Sequence, residues 1–444
     1  MRTPPGWQTS TLGQVASWSS GGTPKSGTAA FYGGGIPWAV IGDLNDGVVK
    51  ATTQSITQAG LDNSSAKMLP AGTLLVAMYG SIGKLGLAAI PMATNQAIAS
   101  ATPSPDVTTS FLFYYLLSQR ASLLGAARGG TQANISQSIL KNWQISFPPV
   151  PEQRRIVEII EDHFSRLDAA DAEIQQSVRR VATLDDQVIR RALLGDGAPA
   201  TVTPELQDCG TNDSIVCSLP EGWRWKRLED IATVVGGVTK DIRKQNDPAY
   251  VEVPYLRVAN VQRGSLNLDH VATIRVPAAK AAALELQVGD VLLNEGGDRD
   301  KLARGWVWEG QIAQCIHQNH VFRARLLPGH DPFFVSMTAN TFGALWAELN
   351  GKQSTNLASI SLTKIKQMPV IVPPLEQAQG AVRRVREMSD STARLQECLA
   401  AAATRSMALR RAILAAAFSG RLTGSASDAD RIDELASAAP PRAD

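Results

Sequence analysis

Few residues in this chain are of a type and spacing that could do chemistry. Gly80-Ser81-Ile82-Gly83-Lys84 has the glycines and lysine of a phosphate-cradling loop. That loop needs four residues between its glycines and a Ser or Thr after the lysine to hold magnesium. Here the glycines stand three apart and Leu85 follows Lys84, so nucleotide binding is not expected. Gly33-Gly34-Gly35 runs into Ile36-Pro37 instead of opening a helix, which argues against a dinucleotide or S-adenosylmethionine loop. Cys315, His317 and His320 are close enough to suggest zinc. On a strand, however, the two histidines point to opposite faces, and no second ligand pair stands nearby. They read as ordinary strand residues, and no metal site is expected. The Asp-x-Lys or Glu-x-Lys triplet of common metal-dependent nucleases is absent from the sequence, as is the Gly-x-Ser-x-Gly nucleophile turn. The chain reads as a binder, with no catalytic residues.

Length and composition agree with a folded, multi-domain chain. Its 444 residues allow about three structural units. With 44% hydrophobic and 19% charged residues, core formation is expected. No apolar run reaches the roughly 18 residues of a membrane span, and Met1 to Trp7 lacks an apolar signal core, so a cytoplasmic location is expected. Four scattered cysteines do not make a disulfide framework. The net charge of +2 demands no acidic partner, so any nucleic-acid contact must come from local patches.

What the sequence shows most clearly is that it repeats itself. Gly6-Trp7, Leu12 and Gly21-x-Thr23 recur as Gly222-Trp223, Leu228 and Gly237-x-Thr239. Ile36-Pro37-Trp38 answers Val253-Pro254-Tyr255, and Leu69-x-x-Gly72 answers Leu286-x-x-Gly289. Gln132-Ala133-Asn134-Ile135 pairs with Ser354-Thr355-Asn356-Leu357, Pro151-Glu152-Gln153 with Leu375-Glu376-Gln377, and Arg190 to Leu194 with Arg410 to Leu414. The order is kept, and a period this long means duplication of a whole globular unit with the helix that follows it.

After Pro148-Pro149 no glycine or proline interrupts Glu152 to Leu194, and Ile160, Leu167, Ile174, Val181 and Val188 fall seven apart. In the second copy Met388, Leu395, Ala402, Leu409 and Ala416 are again seven apart, with Val385, Leu399 and Ile413 beside them. Helices this long need a partner for their apolar stripe, so a coiled coil between the two copies is expected. The expected parts are a globular domain at 1–150, a long helix at 151–195 and a polar linker at 196–218. A second globular domain at 219–374, a second long helix at 375–420 and a flexible tail at 421–444 complete the chain. Trp7, Trp223, Trp38 and Tyr255 are expected as core anchors.

Taken together and in order, these features resemble the specificity subunit of type I restriction–modification enzymes. The resemblance is carried by Gly21-Gly22-Thr23-Pro24, Ile36-Pro37-Trp38 with Gly42-Asp43-Leu44, and Asn134-Ile135-Ser136. Pro148-Pro149 leading to Pro151-Glu152-Gln153, and Arg410 to Leu414 with Ala417 to Leu422, carry the rest. It implies an α+β fold: a tandem duplication of a mixed, strand-rich target-recognition domain followed by a long helix, the helices forming an antiparallel coiled coil. It further implies that each globular half reads one half of a bipartite site on double-stranded DNA. The helices would set the gap and dock two methyltransferase subunits. S-adenosylmethionine would belong to those partners, ATP and Mg2+ to a restriction/translocase partner, and no cofactor to this chain.

On that reading the DNA contacts come from polar and basic residues in glycine-rich loops. In the first half these are Thr23, Lys25, Tyr79, Ser81, Lys84, Arg128 and Gln132. In the second they are Thr239, Lys240, Arg243, Lys244, Arg299, Lys301, Arg304, Lys352 and Gln353. Lys and Arg suit phosphates or guanine edges, and Gln suits adenine. Ile160, Leu167, Ile174, Val181, Val188, Met388, Leu395, Leu399, Leu409 and Ile413 are the expected coiled-coil and docking residues. Two alternatives remain: the specificity subunit of a related methyltransferase-based defence complex without a nuclease, and a coiled-coil scaffold with no DNA role.

Overall fold

Both halves build their strands where an apolar run follows a turn glycine, as at Gly72, whose φ of +85° opens the fully buried strand Leu74–Ala77. In this computed structural model, residues 3–126, 135–195, 219–297, 301–353, 358–422 and 427–438 are described; the expected linker 196–218 lies outside them. The chain divides into two units, Met1–Ser177 with Cys398–Asp444, and Val178–Glu397. Both boundaries fall inside a long helix. Each unit therefore combines one globular half with the start of one long helix and the end of the other, a division that differs from the linear one read off the sequence.

In unit 1 a five-stranded sheet runs in the order Ala16–Ser20, Ile98–Pro103, Leu74–Ala77, Leu85–Ala88, Gly47–Val49. All its pairings are antiparallel except the last. A three-stranded sheet places Tyr32–Ala39 between Gln54–Ile56 and Ala93–Thr94. Gln8–Thr11 pairs with Gln144–Phe147, tying the two ends of the globular part together. The helix Thr109–Ala126 supplies Phe111, Leu112 and Leu116 to the core.

Unit 2 repeats this plan. Ala232–Val235, Val321–Leu326, Val291–Asn294 and Gly305–Val307 form a four-stranded sheet. Tyr250–Leu256 lies between Ala272–Pro277 and Ile316–His317, and Arg224–Arg227 pairs with Pro369–Val372. The fifth strand of unit 1 has no equivalent in the large sheet, because Val261–Gln262 instead makes a hairpin with Ser265–Leu266. Trp38 and Tyr255 are buried. Trp7 and Trp223 stand edge-on to Phe111 and Phe334, and their indole N–H groups donate to Glu152 and Gln377.

Those last bonds correct the alignment of the two copies. Gln153 and Ala378 each donate their backbone N–H to a proline carbonyl four residues back, Pro149 and Pro374, so the helix starts correspond at an offset of 225. The helix ends agree: Gly195 and Gly420 both have positive φ, and a side chain at either would strike a proline, Pro220 or Pro4. The run Arg410 to Leu414 therefore sits a little over one turn before the place of Arg190 to Leu194. Likewise Ile135 answers Ile360, not Leu357. Both isoleucines are buried, and both donate to the residue just past the central strand, Met78 and Glu295.

The first long helix, Val150–Leu194, behaves as its spacing predicts. Ile160 and Val181 are buried, and Leu167, Ile174 and Val188 are half-buried. The second, Leu375–Phe418, does so in part: the expected Val385, Leu399 and Ile413 lie in the seam, but Met388 and Leu395 do not. Met388 and Leu395 are 43% and 46% exposed, while the buried row is Ala378, Val385, Thr392, Leu399, Ser406 and Ile413, also seven apart, with Leu399 half-buried. Two small polar residues stand in this seam, so the pattern of large apolar residues points three residues away from it. Thr392 bonds Asp185 at 2.7 Å in unit 2, and Arg410 bonds Asp168 and Asp171 at 2.7 Å in unit 1. Later residues of one helix thus meet earlier residues of the other, an antiparallel arrangement. The expected flexible tail carries a helix, Ser427–Ala438, whose Ile432 is buried in the core of unit 1. Among the described residues no helix is long and apolar enough to cross a membrane.

The corrected seam makes a direct prediction. Ile413→Ala should cost about 2–5 kcal/mol, because it removes a buried side chain, whereas Leu395→Ala should stay within about 0.5 kcal/mol. Denaturant unfolding of both variants checks this, and equal costs would restore the register read from the sequence.

Candidate nucleic-acid interface

The candidate loops meet at one rim in each unit, and backbone geometry brings them there. In unit 1 the chain crosses the end of the strand Ala93–Thr94 at Gly21-Gly22. Gly22 donates to Thr94 O at 2.9 Å, and a Cβ on Gly21 would lie 2.2 Å from that same oxygen. Only glycine fits there. Gly237 holds the equivalent place over His317, and Val238 donates to His317 O at 2.9 Å.

This crossing sets Thr23 on the turn Asn95–Ala97, where its hydroxyl bonds Gln96. Met78 donates to Ala97 O, and Ile135 donates to Met78 O. Thr23, Tyr79 and Ser81 therefore share one rim, all exposed, with Lys84 half-buried at the far side of the hairpin loop. That loop is braced from below. Arg120 donates to Gly83 O at 3.0 Å and makes a two-pronged ion pair with Asp46, whose carboxylate also accepts from Leu85 N. Lys25 is exposed two residues beyond Thr23. Arg128 and Gln132 lie outside the described residues.

Unit 2 furnishes the same rim differently. Asn319 donates to Val238 O, and Glu295 donates to His320 O, the counterparts of the contacts around Gln96 and Met78. Here the side chains form a polar row: Asn319 to His320 at 3.2 Å and His320 to Glu295 at 2.6 Å. Ser359 faces both Gly296 and Lys352 across paired strands, and Lys301 lies against Gly297. Thr239, Lys301 and Lys352 are thus brought to this rim. Gln353 ends the strand Lys352–Gln353, and Arg299 lies outside the described residues. Arg304 is half-buried behind the loop, its carbonyl bonded to Asn294 N. Lys240 follows Thr239 in the exposed loop. Arg243 and Lys244 stand on a short turn capped by Asp241, which Gln245 ties to the strand carrying Arg275.

Sequence reasoning missed Gln96, Glu295, Asn319 and His320 as rim residues. The signal lay in the turn after each edge strand, but resemblance between the copies fades at 80–93 and 297–316, just before those turns. The three residues considered for zinc are dispersed: Cys315 and His317 are buried, whereas His320 is on the surface. Burial pushes the Cys315 thiol up to about 12. Burial also drives His317 down to about 4, with Nδ1 2.6 Å from Val321 O. Among the described residues no group of three or more His, Cys, Asp or Glu is arranged to hold a metal ion.

Each unit thus carries a matching rim on one repeated plan, and in each the start of one long helix meets the end of the other. A family model described as the type I restriction modification DNA specificity domain matches residues 4–180. The MjaIX specificity subunit of Methanocaldococcus jannaschii is 24% identical over 59% of this chain. That alignment spans 59% of the relative's own length. The EcoKI specificity subunit of Escherichia coli K12 is 22% identical, over 95% of this chain and 90% of the relative. A chain from a structure concerning complex assembly of the type I system superposes with a TM-score of 0.70 at 19% identity, covering 95% of this chain and all of that one. Over residues 4–180 the chain thus matches the type I restriction modification DNA specificity domain, and along most of its length it is similar to type I restriction enzyme specificity subunits.

His317 gives a test of how the unit 2 rim is supported. Its folded pKa of about 4 lies below the ordinary 6.5, so the unfolded chain takes up a proton first as pH falls. Stability present above pH 6.5 should decline by about 3 kcal/mol by pH 4. Thermal unfolding across that range should show the decline, and His317→Leu should flatten it; an unchanged slope would mean the imidazole is not held neutral.

Proposed function

We propose that this chain reads DNA sequence for a type I restriction–modification complex, each unit reading one half of a bipartite double-stranded site. The observation that carries the reading is the pair of rims, built at the same place on one repeated scaffold but furnished with different side chains. Identical rims would suit a symmetric target; different ones suit two unlike half-sites. Exposed Thr, Gln, Asn and Lys side chains at loop tips can reach base edges and phosphates while the glycine crossings hold the backbone in register.

In this reading the long helices act as the spacer between half-sites and as the docking surface for two methyltransferase subunits, which carry S-adenosylmethionine. A restriction subunit, where one joins, brings ATP and Mg2+. This chain binds none of these and catalyses nothing; it acts in the cytoplasm, where its DNA lies. The specificity-domain match over residues 4–180 supports this reading, and so does the length of the first helix, 45 residues at about 1.5 Å each, roughly twice a DNA turn of about 34 Å.

The experiment is methylation sequencing of DNA from cells that co-express this chain with its methyltransferase. A modified motif in two parts with a fixed unread gap is expected, and a single continuous motif would overturn the reading. Lys84→Ala and His320→Ala should each relax one half-site by about tenfold and leave the other intact; uniform loss at all sequences would make either a phosphate contact. Deleting seven residues from the middle of both long helices keeps the seam in phase and shortens each by about 10 Å. The gap should then shrink by about three base pairs with both half-sites unchanged. An altered half-site would sink the spacer role.

A further inference from the structure

The two long helices correspond at an offset of 225, so each feature of the helix pair in unit 1 has a counterpart in unit 2. In unit 1 the helix Ser427–Ala438 lies over the pair. Its Ala429, Ile432 and Asp433 line one side of an open cavity of about 190 Å³, with His163, Arg166, Leu167, Leu409 and Ile413 on the other. Ile432 is buried there, with Leu435 and Ala436 packed beside it. Asp433 pairs with Arg405 at 2.9 Å. The helix is acidic, with Asp428, Asp430, Asp433 and Glu434 against a single Arg431.

Shifting this covered surface by 225 gives its counterpart in unit 2. Leu409 becomes Leu184, Ile413 becomes Val188, His163 becomes Met388 and Arg405 becomes Arg180, while Leu167 and Arg166 become the small polar Thr392 and Ser391. Leu184 is 49% exposed and Met388 43% exposed, and Val178 and Leu395 on the same helices are exposed as well. Arg180 is exposed too. Among the described residues unit 2 therefore offers a largely apolar floor and an arginine like those that hold Ser427–Ala438 in unit 1, and leaves them exposed; residues 202–213, which match Ser427–Ala438 at this offset, lie outside the described residues. An exposed apolar row on otherwise charged helices marks a contact surface, and the occupant of the matching surface shows what fits: an acidic amphipathic helix.

We propose that Ser427–Ala438 is a resident occupant of one of two equivalent helix-docking faces, so that the chain presents an open face in unit 2 and a closed face in unit 1. Partner helices of acidic, amphipathic character load the open face directly and reach the closed one only by displacing Ser427–Ala438. The two methyltransferase subunits consequently bind in order, the second with the lower affinity. The inference rests on the docking reading above and adds an asymmetry to it. The affinity for the closed face is reduced by the fraction of time that the resident helix is away.

The test is a titration of the full chain with the purified methyltransferase subunit, followed by calorimetry and native mass spectrometry. Two unequal steps are expected. Ile432→Asp, which puts a charge on the buried face of the resident helix, should strengthen the second step by about tenfold or more and leave the first unchanged. Asp433→Arg, at a solvent-facing position opposite Arg405, should do the same without touching the core. Met388→Glu should weaken the first step alone. Equal steps in the parent chain, or a second step unmoved by both Ile432→Asp and Asp433→Arg, would overturn the proposal while leaving docking intact. No methyltransferase binding by any form would overturn the docking reading and the proposal together.

Discussion

Neither long helix can bury its apolar stripe alone, and the rest of the structure follows from how the two share that burden. The start of one helix lies beside the end of the other within each unit, where the seam merges with the core of the globular half. Ile160 and Ile413 join Phe111 and Leu116 in unit 1, and Leu193 and Val385 join Phe334 and Phe342 in unit 2. The seam is not a uniform zipper. Thr392 with Asp185, and Arg410 with Asp168 and Asp171, place polar contacts that sliding by a turn would break, leaving the buried Thr392 hydroxyl without its carboxylate. Such partly exposed contacts add little net stability, but they favour one register over its neighbours.

Above this seam the scaffold is strict and the rim is free. The helices keep one offset from end to end, and the glycine crossings at Gly21 and Gly237 are the same contact made twice. Between them the copies differ in a strand, in loop length and in every polar side chain facing outward from the turns after Ala93–Thr94 and Ile316–His317. Backbone contacts such as Met78 to Ala97 and Glu295 to His320 survive because they use no side chain. Side chains at those positions can then vary without cost to the fold.

Much of this was legible in the sequence, and the failures have specific causes. Duplication, domain order and the first helix stripe could be read because glycine, tryptophan and spaced isoleucine are each demanded by one local geometry. In the second stripe Val385, Leu399 and Ile413 were read, but Met388 and Leu395 were set at its centre because Thr392 and Ser406 are buried in the true seam, and burial of small polar residues leaves no apolar signal. Ile135 was matched to the wrong isoleucine-like residue because an Asn precedes both Ile135 and Leu357, while the structural partner, Ile360, follows a serine. The rim row of Asn319, His320 and Glu295 depends on residues 24 and 25 positions apart meeting across strands, which spacing alone does not reveal.

Unit 2 is one continuous stretch, Val178–Glu397, whereas unit 1 is assembled from Met1–Ser177 and Cys398–Asp444. A chain made from its first residue onward therefore completes the second unit before the first. The earlier-made domain must wait, with Ile156 and Ile160 uncovered, for some 250 further residues until Ile413 and Phe418 emerge. Closing so long a loop is entropically modest but slow, and the waiting surface is the kind that aggregates. The order in which the units become whole is thus the reverse of the order in which they are written.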